Sequence, residues 1–285
     1  MNAVRQYAGL IITSTFLFLN LFIWSAVFAE SRSGLLTVAF LDVGQGDAIF
    51  IESPNGNQML IDGGPNGAVL RELSKIMPFH DRFIDVILAT HPDKDHIAGL
   101  IDVIERYEVG KYLEPGVLND TGVYQTLLNA VSEKEIPVTY ARRGMHIVLD
   151  EGVRADILFP DRDVTNVETN SGSIVLRVVY GETEFMLTGD APQSIERYLM
   201  SLDGNDLQSD VLKAGHHGSR TSSDESFISS VHPDIAVISA GKDNSYGHPH
   251  KEVLEILSKA GIKIFNTAEE GTIIFTSDGV AITQK

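Results

Sequence analysis

The sequence of 285 residues contains no cysteine. This absence excludes disulfide bonds, thiolate zinc sites and a cysteine nucleophile, and it removes redox chemistry as a guide to the cellular compartment. Any bound metal ion must therefore be held by histidine and carboxylate side chains.

Positive charge is scarce. Lys and Arg number 22 against 39 Asp and Glu, which gives a formal net charge of −17 at pH 7. A protein that grips a phosphate backbone by charge alone is basic, so any affinity of this chain for nucleic acid must come from local charge or from bound metal. The alternative interpretation of the acidity is solubility alone. Hydrophobic residues make up 43% of the chain, which is enough for a full core and argues against disorder.

Charge of either sign is missing from residues 8–29. A run of this length can cross a bilayer as a helix. It is equally compatible with a signal peptide cleaved after residues 27–29, Val-Phe-Ala. Arg5 precedes the run, so in both cases the remainder is predicted to cross the membrane. We expect residues 1–34 to be a signal peptide or membrane anchor, and the protein to be exported, either anchored facing outward or secreted.

No linker or low-complexity stretch interrupts residues 35–285, which predicts one domain. Strands paired by hairpins come first, and a strand–loop–helix unit follows. The second half repeats this plan, so the halves are interpreted as pseudo-repeats, each a sheet with helices, in an α/β fold. Two short strands are expected to close the chain. Helices are predicted at 68–77, 121–134, 192–201 and 251–260.

Residues 90–96, Thr-His-Pro-Asp-Lys-Asp-His, are the most informative stretch. The apolar residues 84–89 before them predict a buried strand, and apolar residues at helical spacing follow from Ile97. Ligands collect at such carboxyl ends of strands. Helix capping explains one Asp here, but not two Asp between two His. We therefore predict a metal site formed by His91, Asp93, Asp95 and His96.

Further candidate residues follow later predicted strands. Asp190 comes after the strand at 183–187, the pair His216 and His217 after 210–214, and His248 after 235–239. An isolated Asp before a helix is also typical of a cap, and an isolated His pair between glycines is also typical of a turn. Their joint occurrence at strand ends favours a metal site, and one carboxylate can bridge two cations.

These motifs resemble those of the metallo-β-lactamase superfamily, namely HPDKDH at 91–96, TGD at 188–190 and GHHGS at 215–219. Three more motifs look like the hydrolase domain of ComEC-type competence proteins, a DNA-uptake channel family: FLDVGQGDA at 40–48, LIDGG at 60–64 and YGHP at 246–249. The resemblance covers roughly residues 35–285. It implies a four-layer αββα sandwich with a metal-dependent hydrolytic site at the sheet edges. The channel portion of those proteins has no counterpart in this sequence, so a role in DNA uptake is not carried over.

The sequence departs from the usual superfamily pattern at two places. Asp93 stands where a second His is usual, although the competence branch also carries Asp there, and residues 168–173 lack the usual third His. The resemblance therefore implies an oxygen-rich site for one or two divalent ions, and Mn²⁺ competes with Zn²⁺. One position is offered His91, Asp93, Asp190 and Asn170. The other is offered Asp95, His96, Asp190 and a His of the pair, with His216 assigned as the ligand.

The predicted activity is that of a metal-dependent hydrolase, a phosphodiesterase acting on nucleic acid or another phosphate ester. A divalent cation activates water for attack on phosphorus. His248 is assigned to stabilise developing charge, and Asp93 or His217 to move protons. Weaker candidates for phosphate contacts are Lys242, Asn244 and Ser219.

Two other functions are compatible with the sequence. A hydrolase of the same fold that cleaves cell-envelope phosphate esters is favoured by the export prediction and the acidity. A non-catalytic binding module with a structural metal is disfavoured by the full set of ligands. The resemblance favours single-stranded DNA as the substrate. A β-lactamase activity is disfavoured, because the motifs point to the competence branch. No protein partner follows from the sequence.

Overall fold

A computed structural model describes residues 2–29 and 34–285 of the chain. Two compact units result, one ending at Ser33 and the other running from Gly34 to Lys285. The first contains helix α1, Asn2–Ala29. Its stretch Tyr7–Trp24 has a mean hydropathy of 1.7 and is long and apolar enough to cross a membrane. Thr13, Thr15 and Asn20 each donate a hydrogen bond to a backbone carbonyl four residues earlier, so the helix itself satisfies these polar side chains.

The second unit contains two β-sheets and seven α-helices within the described residues. The strands are β1 Leu36–Phe40, β2 Ile49–Glu52, β3 Gln58–Ile61, β4 Phe83–Leu88, β5 Glu108–Glu114, β6 Val138–Tyr140, β7 His146–Asp150, β8 Val153–Phe159, β9 Val175–Tyr180, β10 Thr183–Leu187, β11 Val211–Lys213, β12 Ile235–Ile238, β13 Lys263–Asn266, β14 Ile273–Ser277 and β15 Ile282–Gln284. The helices are α2 Ala68–Ile76, α3 Lys94–Arg106, α4 Gly122–Glu133, α5 Gln193–Asp203, α6 Glu225–Val231, α7 Lys251–Lys259 and α8 Thr267–Glu270. Three short 3₁₀ helices lie at Asn170–Gly172, Gly204–Leu207 and Gly215–Gly218.

The two sheets form the inner layers of a sandwich. The first has the order β15-β14-β1-β2-β3-β4-β5-β6 and the second the order β13-β12-β11-β10-β9-β8-β7. Apolar side chains of both sheets form one buried cluster, in which Phe275 contacts the rings of Phe40 and Phe185 with centroids 6.1 and 6.4 Å away. Helices α2, α3 and α4 pack on the outer face of the first sheet. Helices α5, α6 and α7 pack on that of the second, which confirms the four-layer αββα sandwich.

Five details differ from the sequence-based expectations. Strand β5 and helix α6 were not predicted, and three strands close the chain instead of two. Helix α3 begins at Lys94, earlier than the apolar spacing indicated, so Asp95 and His96 lie in its first turn. The halves are also not separate sheets, because β14 returns to the first sheet and pairs antiparallel with β1.

The strands that carry the candidate residues run parallel. In the first sheet β3, β4, β5 and β6 are parallel neighbours, and in the second sheet β10, β11, β12 and β13 are. Parallel strands present all their carboxyl ends at one edge of a sheet, where ligands are usually bound. This arrangement positions the site.

Candidate metal centre

The candidate side chains follow the carboxyl ends of strands from both sheets. Asp62 follows β3, the stretch 91–96 follows β4, Asp190 follows β10 and the pair 216–217 follows β11. The loop before β2 also reaches this point, because Gly46 passes close to the first turn of α3. A Cβ on Gly46 would lie 2.1 Å from the Asp95 carbonyl oxygen, so the sequence needs glycine there.

Asp190 lies at the middle of the cluster and is buried. Its Oδ1 is 3.3 Å from Nε2 of His96. Its Oδ2 is 3.9 Å from Nε2 of His91, 3.6 Å from Nε2 of His216 and 3.5 Å from Nε2 of His217. Four imidazoles therefore direct the same ring nitrogen towards one carboxylate.

Two of these imidazoles are held in a defined tautomer by Asp62 and Thr90. The Thr90 hydroxyl donates its one proton to Asp62 over 2.7 Å, so its oxygen accepts from Nδ1 of His91 at 3.0 Å. Asp62 also accepts from Nδ1 of His96 at 2.8 Å. With Nδ1 as the donor in both rings, a free lone pair remains on Nε2. Metal-ligating histidines are oriented by such outer hydrogen bonds.

His217 is oriented in the same way by the strand next to its own. Its Nδ1 donates to the Ser239 carbonyl oxygen over 2.9 Å, which leaves the Nε2 lone pair free. His216 and His217 have φ angles of 50° and 54°. Left-handed backbone costs a non-glycine residue on the order of 1–2 kcal/mol, and strain of this kind is typical of functional sites.

Five buried atoms of this cluster have no hydrogen-bond partner among the described residues. They are Nε2 of His91, His96 and His217, and Oδ1 of Asp190 and of Asp47. An unsatisfied buried polar atom costs roughly 1–3 kcal/mol, so several together call for a ligand. Nitrogen and carboxylate donors suit Zn²⁺, Mn²⁺ and related divalent ions, so this donor set fits the metal that the sequence predicted.

Two more carboxylates extend the donor set towards solvent. Oδ2 of Asp93 is 3.7 Å from Nε2 of His91, and Oδ2 of Asp95 is 3.4 Å from Nε2 of His217. Burial raises the pKa of Asp93, whereas the nearby Thr169 acts to lower it. The Oδ1 atom of Asn170, the residue after Thr169, is buried without a partner among the described residues. The donors therefore fall into two groups that share Asp190.

The pKa values report an excess of negative charge. Burial, reinforced by His96, lowers the pKa of His91 to about 3. Burial also acts to lower the pKa of His96, but Asp190 and Asp62 outweigh it and raise that pKa well above its ordinary value. The same opposition, with Asp190 and Asp47 prevailing over burial, raises the pKa of His217 to about 9. Before a metal binds, the extra protons on His96 and His217 therefore offset part of the negative charge of the carboxylates. A bound metal cation would take over this role and displace those protons from Nε2.

Lys213 provides a permanent positive charge beneath the centre. The side chain is fully buried, and its Nζ forms an ion pair with Asp47 and donates to the Gly189 carbonyl oxygen over 3.0 Å. The donor atoms of Asp47 lie within 4.8 Å of those of His96, Asp190 and His217, so Asp47 belongs to the cluster by distance. Because Asp47 is already paired with Lys213, we regard it as a support for the cluster and not as a ligand.

His248 lies at the rim of a pocket that opens onto the cluster. Its ring centroid is 5.5 Å from that of His216 and 6.2 Å from that of His217, and its Nδ1 is 3.5 Å from Nε2 of Gln45. Burial and the neighbouring imidazoles lower the pKa of His248 to about 4. The pocket has a volume of about 130 Å³, and it is lined by Gln45, Asp93, Asp95, Asp190, His216, His217, Tyr246 and His248.

The structure thus brings together all the site residues that the sequence singled out. One pocket is lined by Asp93, Asp95, Asp190 and His216 among the predicted ligands and by the predicted catalytic residues His217 and His248. The other two predicted ligands, His91 and His96, are fully buried next to Asp190. Their roles stay predictions.

The weaker phosphate-contact candidates fare differently. The Asn244 amide is hydrogen-bonded within its own loop, and Ser219 is buried against Thr221. Lys242 is exposed.

Sequence reasoning did not assign roles to Asp47, Asp62 or Lys213. The two aspartates occur in the GQGD and LIDGG motifs that carried the resemblance, so a signal was present. The signal for Lys213 is its place in a short strand between Leu212 and Ala214, where a lysine is unusual. Lysine is almost never fully buried unless it is paired.

A sequence profile of the Metallo-beta-lactamase superfamily matches residues 41–242, and the chain belongs to this superfamily. Within it, the chain is 30% identical over 290 residues to ComE operon protein 3 of Bacillus subtilis (strain 168), with 94% of this chain and 36% of the relative covered. Recombination protein 2 of Haemophilus influenzae is 34% identical over 238 residues, with 82% and 28% covered. These matches confirm the resemblance to ComEC-type competence proteins. The chain spans only about a third of the length of these relatives.

Among solved structures, the diiron β-hydroxylase CmlA from Streptomyces venezuelae is similar with a TM-score of 0.52 and 14% identity. The similarity covers 80% of this chain and 52% of that one. It supports the fold alone.

Proposed function

We propose that this chain is a metal-dependent phosphodiesterase that acts on single-stranded nucleic acid outside the cytoplasm. The observation that carries the proposal is the convergence of three buried Nε2 atoms and one Asp190 oxygen, none with a hydrogen-bond partner among the described residues, beneath an open pocket. Such a donor set, with each imidazole oriented from behind, is typical of a catalytic metal site.

The two groups of donors define two metal positions that share Asp190. We assign His91 and Asp93 to one position and Asp95, His96 and His217 to the other, on the distances between these side chains. His217 replaces His216 as the assigned ligand, because His217 is buried and its Nδ1 is committed to a backbone carbonyl. When bound, a divalent cation acidifies water and neutralises charge on phosphate oxygens.

The remaining residues of the pocket act on the substrate. The His216 side chain is 26% exposed and faces the pocket, so we assign it the transfer of a proton through Nε2. His248 at the rim stabilises the charge that develops on the phosphate oxygens. Asp93, which is partly exposed and next to His91, is the second candidate for proton transfer.

The choice of a nucleic-acid phosphodiester rests on the size of the pocket and on the relatives. A volume of about 130 Å³ accommodates a phosphate group, whereas pockets for whole small-molecule ligands measure roughly 300–1,000 Å³. The similar proteins are named for competence and recombination. We assign only three exposed cations, Lys94, Arg220 and Lys242, as candidates for substrate contacts, so we expect weak binding with a shallow salt dependence.

A second candidate substrate is a cell-envelope phosphate ester, and the net charge of −17 favours it. Turnover of an end-labelled oligonucleotide and of glycerophosphodiesters, measured with Mn²⁺ across a salt series, separates the two. Cleavage of the envelope ester without cleavage of the oligonucleotide would replace the first substrate by the second.

The proposed chemistry is tested by Asp190→Ala in the full-length chain. We expect metal binding to fall sharply and hydrolysis of bis-p-nitrophenyl phosphate to be abolished, because both positions lose their shared ligand. Asp234→Ala is the matched control, since Asp234 is exposed and precedes β12, at the opposite edge of the sheet. Wild-type turnover by Asp190→Ala would contradict the two-position site, and metal binding without any turnover by the unmodified protein would indicate a non-catalytic module.

A further inference from the structure

Tyr246 is an exposed aromatic residue at the edge of the catalytic pocket. Its side chain lines the pocket together with the candidate ligands, yet Tyr246 is 64% exposed. The rings of Tyr246 and His248 are nearly parallel, with an interplanar angle of 21° and centroids 5.7 Å apart. His248 in turn contacts His216, whose Nε2 is 3.6 Å from Asp190. The ring of Tyr246 is therefore connected to Asp190 of the metal centre through the side chains of His248 and His216.

The backbone that presents Tyr246 is held firmly. The Asn244 side chain donates to the carbonyl oxygens of Gly241 and His248 over 2.8 and 2.6 Å. It also accepts from the backbone N–H groups of Tyr246 and His248 over 3.1 and 3.0 Å. Gln45 fixes the start of the loop by accepting from the Gly241 N–H over 3.1 Å. An exposed ring on a fixed loop is preorganised for binding, because little conformational entropy is lost when a ligand packs on it.

We infer that Tyr246, backed by His248, is a stacking site for the base of the nucleotide next to the scissile phosphodiester. This inference rests on the proposed phosphodiesterase function and adds the means by which a nucleic-acid substrate is recognised. The pocket of about 130 Å³ holds the phosphate, so the adjoining sugar and base lie at the rim, where Tyr246 is. Aromatic side chains bind successive bases by stacking, with little preference for sequence.

The charge of the protein favours this mode of recognition. With a net charge of −17, the chain repels a polyanion at long range and cannot rely on a row of basic side chains. Arg220, one of the exposed cations, already forms an ion pair with Glu252, with Nη1 of Arg220 3.6 Å from Oε1 of Glu252. Stacking is uncharged, so the acidity does not weaken it. Phosphodiesters built on glycerol or choline have no planar ring and gain nothing from Tyr246, which makes this residue a determinant of specificity.

The test compares an end-labelled oligothymidylate with a backbone of the same length in which every base is absent. Both have the same phosphates, so any difference comes from the bases. We expect the wild-type protein with Mn²⁺ to cleave the thymidylate on the order of tenfold more efficiently in kcat/KM. Tyr246→Ala should lose this preference, so that both probes are cleaved with the same kcat/KM, whereas Tyr246→Phe should keep the preference because the ring is retained.

Binding of the same two probes in the presence of a chelator gives a readout that does not depend on catalysis. We expect the fluorescence anisotropy of the labelled strands to show a Kd about tenfold lower for the thymidylate, and the difference to disappear in Tyr246→Ala. Asn244→Ala, which loosens the loop but keeps the ring, should reduce the preference partly. Phe79→Ala is the matched control, since Phe79 is 83% exposed and lies between α2 and β4.

The outcomes separate this inference from the proposed function. Equal binding and cleavage of both probes by the wild-type protein would overturn the stacking site and leave the phosphodiesterase intact. An equal loss on both probes in Tyr246→Ala would also overturn it, by showing that Tyr246 only supports the pocket. If no phosphodiester is cleaved under any condition, the proposed function fails, while the anisotropy comparison still decides whether Tyr246 binds a base.

Discussion

At the scale of single residues, the centre depends on what stands behind the imidazoles. His91, His96 and His217 bond through Nδ1 to a hydroxyl, a carboxylate and a backbone carbonyl respectively. Each partner accepts a hydrogen bond from Nδ1, so Nε2 is the ring nitrogen that each histidine can offer to a metal. We therefore expect Thr90 and Asp62, which do not face the pocket, to influence how well the centre binds a metal.

Lys213 gives a prediction at this scale. Lys213→Met should lower the free energy of unfolding by about 3–5 kcal/mol, because Asp47 is left as a buried carboxylate without its cation. Adding Asp47→Asn should recover part of the loss. Urea unfolding measures both. Lys259→Met is the control, since Lys259 pairs with Glu225 at the surface and should cost no more than about 1 kcal/mol. A loss as small as that of the control would show that the buried pair does not stabilise the fold.

The sequence indicated the side chains that converge on Asp190 better than the side chains that lie behind them. The stretch 91–96 and Asp190 could be identified because they combine metal-binding residue types with the ends of apolar strands. Lys213 could not be assigned a role, because its partner Asp47 is distant along the chain and only the fold brings the two together. The choice between His216 and His217 likewise depends on burial, which two adjacent histidines of the same type do not reveal.

At the scale of elements, Glu196 connects two helices on the outside of the second sheet. It lies in α5 and accepts hydrogen bonds from the backbone N–H groups of Ser223 and Asp224 at the start of α6, over 2.7 and 2.8 Å. Burial outweighs these bonds and raises the pKa of Glu196 to about 7. The ordinary glutamate value is near 4.3, so between about pH 4.5 and 7 the folded protein retains a proton that the unfolded chain has lost.

This difference predicts how stability depends on pH. Because the folded state binds more protons in that window, the free energy of unfolding falls as the pH rises from about 4.5 to 7. The contribution of Glu196 should reach about 3 kcal/mol, since one pKa unit corresponds to about 1.4 kcal/mol. The Glu196→Gln variant has no ionisable group at this position. The difference in unfolding free energy between the wild type and the variant should therefore change by about 3 kcal/mol between about pH 4.5 and 7. Parallel stability curves for wild type and variant would contradict the prediction.

Elements were predicted where the apolar pattern was strong. Strand β5 has the sequence Glu-Val-Gly-Lys-Tyr-Leu-Glu, in which glycine and charged residues obscure the strand signal. It forms because it lies between β4 and β6 in the parallel sheet. Helix α6 has only seven residues, with serine at three of its positions, and it depends on packing of Phe227 and Ile228. Tertiary contacts decided both elements.

At the scale of the whole molecule, helix α1 is long and apolar enough to cross a membrane, and we predict that it directs the second unit outward. The described part of this helix has no charged residue between Tyr7 and Trp24, and Arg5 precedes it. We predict that residues 34–285 lie outside the cytoplasmic membrane. Protease added to intact spheroplasts should digest this unit if it is anchored, or the unit should be found in the medium if it is released. A cytoplasmic marker protein serves as the control, and full protection until lysis would contradict the prediction.

The return of β14 to the first sheet has a consequence for biogenesis. Strand β1 pairs with β2 on one side and with β14 on the other, so the neighbours of β1 lie near opposite ends of the chain. During translation β1 keeps one unpaired edge until β14 has been made, and the first sheet is complete only when β15 follows. The first sheet is therefore completed only after β14 and β15 have left the ribosome. A chain that folds this late remains unfolded during synthesis, and a protein-conducting channel requires an unfolded substrate.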